Sequence, residues 1–219
     1  VILFFSCEKS INNYAIVIHG GAGTVIRENT PKELQKKYED KLREALEVGY
    51  SILESGGSSV DAVEKTIKIL EDSELFNAGK GSVLTNEETV EMDASIMTGS
   101  DLNAGAVATL KTIKNPISAA RAVMEKSNHV FLSGEGAESF AKEIGLETVN
   151  NNYFITKNQL NQIRKIKENK YGTVGCVALD KSGNITAGTS TGGMMNKKWN
   201  RIGAVSYTHL RAHETLETL

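Results

Sequence analysis

The sequence predicts an α+β protein in which helices cover sheet. Three features point there. Short apolar, β-branched runs bounded by turn residues read as strands, two long stretches with helical apolar spacing read as amphipathic helices, and 219 residues suffice for one sizeable core.

In chain order, Tyr14 to Ile18 (YAIVI) reads as a short buried strand, followed at once by HGGAGT. Thr30, Pro31 and Glu33 form a capping-box pattern with proline at the first helical position. From Lys32 to Glu54, Leu34, Tyr38, Leu42, Ala45, Leu46, Gly49, Ile52 and Leu53 recur at helical spacing, and Gly56-Gly57 ends the helix. Ser58 and Asp61 open a second helix with Val60, Val63, Ile67 and Leu70 on its apolar face. Thr89 to Met97 and Ala104 to Leu110 read as paired strands, the second apolar enough to be buried on both faces. Asn115-Pro116 starts a helix over Ile117 to Glu125. His129 to Leu132 is a short strand, and Ser133 caps a helix from Gly134 to Ile144 closed by Gly145. Asn150 to Lys170, polar and rich in charge, is expected to be an exposed connector. Thr173 to Leu179, a Lys181-Ser182-Gly183-Asn184 turn and Ile185 to Thr189 form a β-hairpin.

Composition excludes more than it selects. A net charge of −2, with 40% hydrophobic and 24% charged residues, gives no electrostatic reason to bind nucleic acid or an anionic membrane surface. The two cysteines, Cys7 and Cys176, are too few for a disulfide framework, and Cys176 falls in a predicted buried strand. The opening VILFFSCEKS is similar to the end of a bacterial lipoprotein signal peptide. On that reading residues 1–10 are the remnant of a signal or anchor, Cys7 carries the lipid, and the protein is periplasmic or membrane-anchored. A ragged apolar strand is the alternative, with a cytoplasmic protein.

No phosphate loop, zinc spacing or dinucleotide fingerprint is present; HGGAG follows a strand but precedes a polar loop. Of four histidines, His19 and His129 lie outside the C-terminal tail, and neither neighbours a candidate serine in sequence. A threonine nucleophile remains. In YGTVGCVALD, cleavage of Gly172–Thr173 would free an α-amine able to take the Thr173 hydroxyl proton, and Gly172 leaves the scissile carbonyl unshielded. On these ten residues alone, a bulge at a strand opening shaped by Gly172 and Gly175 accounts for the pattern equally well.

The longer pattern breaks the tie. YGTVGCVALDKSGNITAGTSTGGMMNKKWNRIG resembles the nucleophile segment of the plant-type L-asparaginase and isoaspartyl peptidase family of N-terminal nucleophile hydrolases. VIHGGAG at 17–23, LFNAGKGSVLT at 75–85, VEMDASIMTG at 90–99 and AGAVATLKTIKNPISAARAVME at 104–125 continue the resemblance, which covers roughly Tyr14 to Gly203.

The resemblance implies a four-layer αββα sandwich, self-cleavage at Gly172–Thr173 and hydrolysis of L-asparagine and β-aspartyl dipeptides. Residues 11–203 would form a partial domain, its α-subunit ending at 172 and its β-subunit starting at 173, in a parent that pairs as a dimer of αβ heterodimers. Thr173 would be the nucleophile, Thr191 would activate it, and Asn77 would contact its amine. Arg201 would grip the substrate α-carboxylate within the run Arg201, Ile202, Gly203 and Ala204. His19 would be structural, and Asp93 a buried, hydrogen-bonded structural carboxylate. No cofactor is required. A structural sodium ion would sit among the backbone carbonyls of Leu70, Glu71, Ser73, Phe76, Ala78 and Lys80, holding Asn77 in place.

The chain departs from the family where Ala204 stands in place of the aspartate that takes the substrate ammonium group, and residues 204–219 read as a non-family tail. The oxyanion donors expected further on are missing from it. Because one such donor is worth about two to three orders of magnitude in rate, the polypeptide as written is expected to be inactive and its parent active. A glycosylasparaginase-type amidase and a non-catalytic remnant are the competing readings.

Overall fold

A computed structural model describes residues 13–21, 30–164 and 172–203. It is a mixed α+β structure in which one six-stranded sheet carries helices on one face. The strands are β1 (Ala15–His19), β2 (Met92–Thr98), β3 (Ala104–Leu110), β4 (Phe131–Ser133), β5 (Val174–Leu179) and β6 (Ile185–Thr191). They lie in the order β1-β5-β6-β2-β3-β4, antiparallel except for the parallel pair β3 and β4. The helices are α1 (Lys32–Glu54), α2 (Ser59–Glu71), α3 (Pro116–Lys126), α4 (Gly134–Glu143) and α5 (Lys157–Arg164).

The β5–β6 hairpin sits at the centre of the site's architecture, and its turn is set by one carboxylate. Asp180 accepts from the N–H groups of Ser182 and Asn184, each at 3.0 Å, and from Ser59 N–H at the start of α2 at 3.0 Å. One side chain thus shapes the turn and ties it to a helix N-terminus. Ser58 caps α2 as expected, accepting from Asp61 N–H at 3.1 Å. The core lies between helices and sheet, where Val63, Ile67 and Leu70 of α2 and Ile117 and Val123 of α3 meet Ala94, Ile96, Val107, Val174 and Cys176. Gly188 permits this approach, since a Cβ there would fall 2.6 Å from Val63 Cγ1. Burial pushes the Cys176 thiol up to about 12, which leaves it an unreactive core group.

Several elements differ from expectation. Pro31 occupies the N-cap of α1 with extended ψ, the helix begins at Lys32, and no side chain caps it, so the Thr30 capping box does not form. Asn115 likewise caps nothing; its side-chain amide donates to Asp72 instead, at 3.1 Å. Ser133 precedes α4 without a capping bond. β1 is an edge strand with alternating exposure, not a buried one, and Val17 is 69% exposed.

The largest difference is the polar stretch from Asn150. A 3₁₀ turn (Asn151–Phe154) and α5 cover Leu84, Val90 and Met92 with Phe154 and Ile163 in a second small core. Its apolar groups are sparse, so composition hides a stripe that spacing supports. Cys7, Ala204 and the remainder of the connector, 165–170, lie outside the described residues.

Among the described residues, only one face of the β1-β5-β6 half of the sheet is covered. On the other, Val17 and Val177 pair directly and continue to Ala187, while Ile185 follows at the strand end; Val17, Val177 and Ile185 are all exposed.

Beneath the covered face Glu71 is fully buried. One of its oxygens accepts from Ile117 N–H at 2.9 Å, and burial raises its carboxyl to about 8. The native state therefore keeps the proton that the unfolded chain releases near the ordinary carboxylate range. Stability from this group is full below about pH 4.5, declines as pH rises, and is lost by about pH 8. Urea midpoints followed from pH 5 to 8 should fall in the parent protein and stay flatter in Glu71→Gln.

Candidate active site

The antiparallel hairpin brings the start of β5 beside the end of β6, with Val174 opposite Ser190. Thr173, one residue before β5, therefore meets Thr191, the last residue of β6. The Thr173 hydroxyl donates to Thr191 Oγ1 at 3.1 Å, and the Thr191 hydroxyl donates to the Gly172 carbonyl at 2.9 Å. Gly193 N–H donates to Thr191 Oγ1 at 2.9 Å, so that hydroxyl has its proton and both lone pairs engaged. β1 pairs with β5 on the other side, His19 opposite Gly175, which lays Gly21 against the Gly172–Thr173 bond. A Cβ on Gly21 would lie 3.6 Å from Gly172 Cα, and its φ of +121° belongs to glycine.

Asn77 reaches this point from the loop between α2 and β2. Its amide nitrogen donates to the Gly172 carbonyl at 2.9 Å and to the Gly193 carbonyl at 2.7 Å, while its Oδ1 accepts from Val83 N–H at 2.9 Å. The Gly172 carbonyl oxygen thus receives two donors, one from an amide and one from a hydroxyl. Both are within the distances that stabilise a developing oxyanion.

Strand alternation sorts the TST run. Thr189 and Thr191 face the open side of the sheet, whereas Ser190 is buried toward the helices, beside the Glu71 carboxyl. Thr189 Oγ1 pairs with Ser95 Oγ at 3.0 Å. A cavity of about 410 Å³ opens on that side, lined by His19, Thr173, Thr189, Thr191, Arg201 and Gly203 among others. His19 is exposed within it rather than packed.

Arg201 arrives by a loop with left-handed Asn196, Trp199 and Asn200 (φ 61°, 55° and 53°) that turns the chain back toward β6. Its guanidinium lies near Gly193, with Nη1 3.6 Å from where a Cβ would stand, and no carboxylate pairs with it among the described residues. Ile202 is partly exposed, Gly203 is buried, and position 204 lies outside the described residues.

The expected cation loop has a matching shape. Cβ atoms on Gly79 and Gly81 would fall 2.2 Å from the Glu71 carbonyl oxygen and 2.0 Å from that of Phe76, with the Ser73 carbonyl at 3.0 Å. Backbone oxygens therefore crowd a turn with no side chain in it. The Leu70 and Ala78 carbonyls already accept from Ser73 N–H and Gly81 N–H, at 3.3 and 3.2 Å. Among the described residues no group of three or more His, Cys, Asp or Glu is placed to hold a metal, so a cation here would depend on carbonyl ligands.

Sequence reasoning missed Lys197. Its side chain is fully buried, with Nζ donating to the Glu91 carbonyl at 2.9 Å, and burial lowers its pKa against the pull of Asp93 and Glu91. A lysine in the polar run NKKWN carries no signal of burial. Asp93, expected to be buried and hydrogen-bonded, is both; it accepts from Thr109 N–H at 2.9 Å and Gly203 N–H at 2.6 Å.

A threonine hydroxyl, a second hydroxyl and an asparagine amide converge on one peptide carbonyl on a helix-backed sheet, an arrangement with the parts that acyl transfer by a threonine needs. The asparaginase family matches residues 12–207, and the chain belongs to it. An isoaspartyl peptidase/L-asparaginase of Mus musculus is 47% identical over 198 residues, covering 86% of this chain and 60% of the relative. The corresponding protein of Xenopus laevis is 43% identical over 197 residues (86% and 62%). The isoaspartyl peptidase of Escherichia coli (strain K12) is 43% identical over 204 residues (86% and 64%). The chain spans less than two thirds of the length of these curated relatives.

The space around two glycines, one against Asn77 and one in α4, predicts opposite effects of alanine substitution. A Cβ on Gly192 would lie 2.5 Å from Asn77 Oδ1 and 2.6 Å from Ser82 Cβ, so Gly192→Ala should cost about 1–3 kcal/mol in denaturant unfolding. Gly136, inside α4 with open space around it, should gain about 0.5–1 kcal/mol as Gly136→Ala in the same measurement.

Proposed function

We propose that the chain is the self-processing part of a threonine-nucleophile amidohydrolase that cleaves itself at Gly172–Thr173 and then hydrolyses L-asparagine and β-aspartyl dipeptides. The observation that carries the reading is the Gly172 carbonyl held by Asn77 and Thr191 beside the Thr173 hydroxyl. Membership of the family, whose relatives bear isoaspartyl peptidase and L-asparaginase names, supports the substrate class.

In processing, Thr173 Oγ1 adds to the Gly172 carbonyl carbon as its proton moves to Thr191 Oγ1, which releases its own proton along its existing bond to the Gly172 oxygen. Charge grows on the Gly172 oxygen, where the Asn77 amide and Thr191 hydroxyl meet it. The C–N bond then breaks as the Thr173 nitrogen takes up the proton lost by the Gly172 oxygen, which restores the carbonyl and leaves Gly172 as an ester on Thr173 with a free α-amine. Water hydrolyses that ester, freeing the Gly172 carboxylate and the Thr173 hydroxyl.

In catalysis the new amine accepts the hydroxyl proton while Thr173 Oγ1 attacks the substrate side-chain amide. Ammonia or an amino acid departs with that proton, and water resolves the β-aspartyl ester to aspartate. Arg201, unpaired by any described carboxylate and facing the same cavity, binds the α-carboxylate.

The Leu70 to Lys80 loop is suited to a sodium ion held by the Glu71, Ser73 and Phe76 carbonyls. The ion would supply charge that keeps those oxygens together, while the chain's own bonds hold Asn77. The open face bearing Val17, Val177 and Ile185 supports a second sheet stacked on the first, giving an αββα sandwich. Pairing of two αβ heterodimers rests on the family resemblance.

Full-length protein should separate on denaturing electrophoresis, checked by intact mass, into two fragments divided at Gly172–Thr173. Thr173→Ala should stay uncut and inactive, and Asn77→Ala should process about 10²–10³-fold more slowly. Release of aspartate from β-aspartyl dipeptides by Thr173→Ala protein would sink the mechanism.

A further inference from the structure

Among the described residues, two hydrogen bonds from backbone N–H groups hold the segment Arg201–Gly203. Arg201 N–H donates to the Lys198 carbonyl at 3.2 Å, a contact local to the loop. The bond that ties the segment to the sheet is Gly203 N–H to Asp93 Oδ2, at 2.6 Å across 110 positions of sequence. The same carboxylate uses Oδ1 for Thr109 N–H. That second partner exists because β3 carries an extra residue against β2: Met92 opposes Leu110 and Ala94 opposes Val107, with Thr109 left-handed at φ 56°. The bulge turns a backbone N–H out of the ladder and onto Asp93, so the carboxylate has one oxygen fixed to the sheet and one free to take the loop.

Asp93 also lies directly opposite Thr191 in the β2–β6 pairing. Gly203 is consequently pressed onto the active-site threonine. A Cβ on it would fall 2.6 Å from Thr191 Cγ2 and 3.1 Å from Asp93 Oδ2. Lys197 and Arg201 approach Gly193 from the same side, Nζ and Nη1 standing 3.5 and 3.6 Å from its Cβ position. The buried member of the pair, Lys197, has the Glu91 Oε2 carboxylate oxygen 3.9 Å from Nζ.

We propose that Asp93, near the buried Lys197, is the positioning residue for substrate carboxylate binding: it clamps Gly203 against Thr191 and so sets where Arg201 presents its guanidinium in the Thr173 cavity. The inference rests on Arg201 being the carboxylate ligand of the proposed reaction. Asp93 touches no substrate. Its carboxylate ties the loop to the sheet, and Lys197, fully buried with Glu91 Oε2 3.9 Å from Nζ, leaves the positive charge at the cavity to Arg201.

The test is a double-mutant cycle on the full-length, self-cleaved enzyme, with initial rates measured against β-aspartyl dipeptide concentration. Asp93→Asn should raise KM about tenfold and change kcat by less than about threefold, because binding geometry is lost and the nucleophile is not. Arg201→Ala should raise KM further, and adding Asp93→Asn to it should change KM by less than about twofold. If Arg201→Ala raises KM but the two effects multiply, or Asp93→Asn lowers only kcat, the positioning role is overturned while the hydrolase reading stands. If Arg201→Ala leaves KM unchanged in an enzyme that still requires Thr173, the carboxylate assignment fails and takes this inference with it. Should Asp93→Asn not fold, Lys197→Gln provides the second measurement. It should raise KM in the same selective way, and a folded, self-cleaving Lys197→Gln protein with unaltered KM overturns the proposal.

Discussion

Asn77 has one side-chain oxygen and two amide protons, and all three are committed: Val83 N–H to the oxygen, the Gly172 and Gly193 carbonyls to the protons. Its own backbone carbonyl accepts from Gly192 N–H at 3.1 Å. Four bonds from one residue therefore join the α2–β2 loop, the start of β5 and the end of β6. No other side chain of similar size meets these demands. Aspartate would set a carboxylate against two carbonyl oxygens, and leucine would leave two carbonyls and an N–H unsatisfied, each such loss costing about 1–3 kcal/mol.

What Asn77 joins is already aligned by the sheet. Antiparallel pairing of β5 with β6 makes the first residue before one strand a neighbour of the last residue of the other, which is why Thr173 and Thr191 share a hydrogen bond across 18 positions. Alternation then sends Thr189 and Thr191 to the open face and Ser190 to the core. The helices have a different task. α2 and α3 bury the opposite face with aliphatic side chains, and that rigid backing lets sub-ångström relations persist at a site built from strand ends and loops.

Much of this was legible in the residues. Helix α1 begins and ends where the periodicity placed it, and β3, the hairpin and its turn also fall where expected. Legibility failed where burial and composition part ways. The stretch from Asn150 looked like a solvated connector because Phe154, Leu160 and Ile163 are diluted among polar neighbours, yet their spacing suffices to cover a small core. Lys197 looked exposed for the same reason, since a charged residue reveals burial only through partners that lie a hundred positions away. The capping patterns at Thr30 and Asn115 failed locally. Pro31 takes the cap itself with extended ψ, and Asn115 finds Asp72 instead of its own helix.

By itself the sequence determined the family, the element types outside the stretch from Asn150, and the identity of Thr173, Thr191, Asn77 and Arg201 as candidates, because periodicity and contiguous motifs are local properties of the chain. Only the tertiary structure decided which of those groups converge on the Gly172 carbonyl, which side of the sheet is open, and that Asp93 holds Gly203 at the end of the Arg201 loop. Those relations depend on strand register and on a bulge in β3, which are set by pairing between segments distant in sequence and leave no mark in any short window.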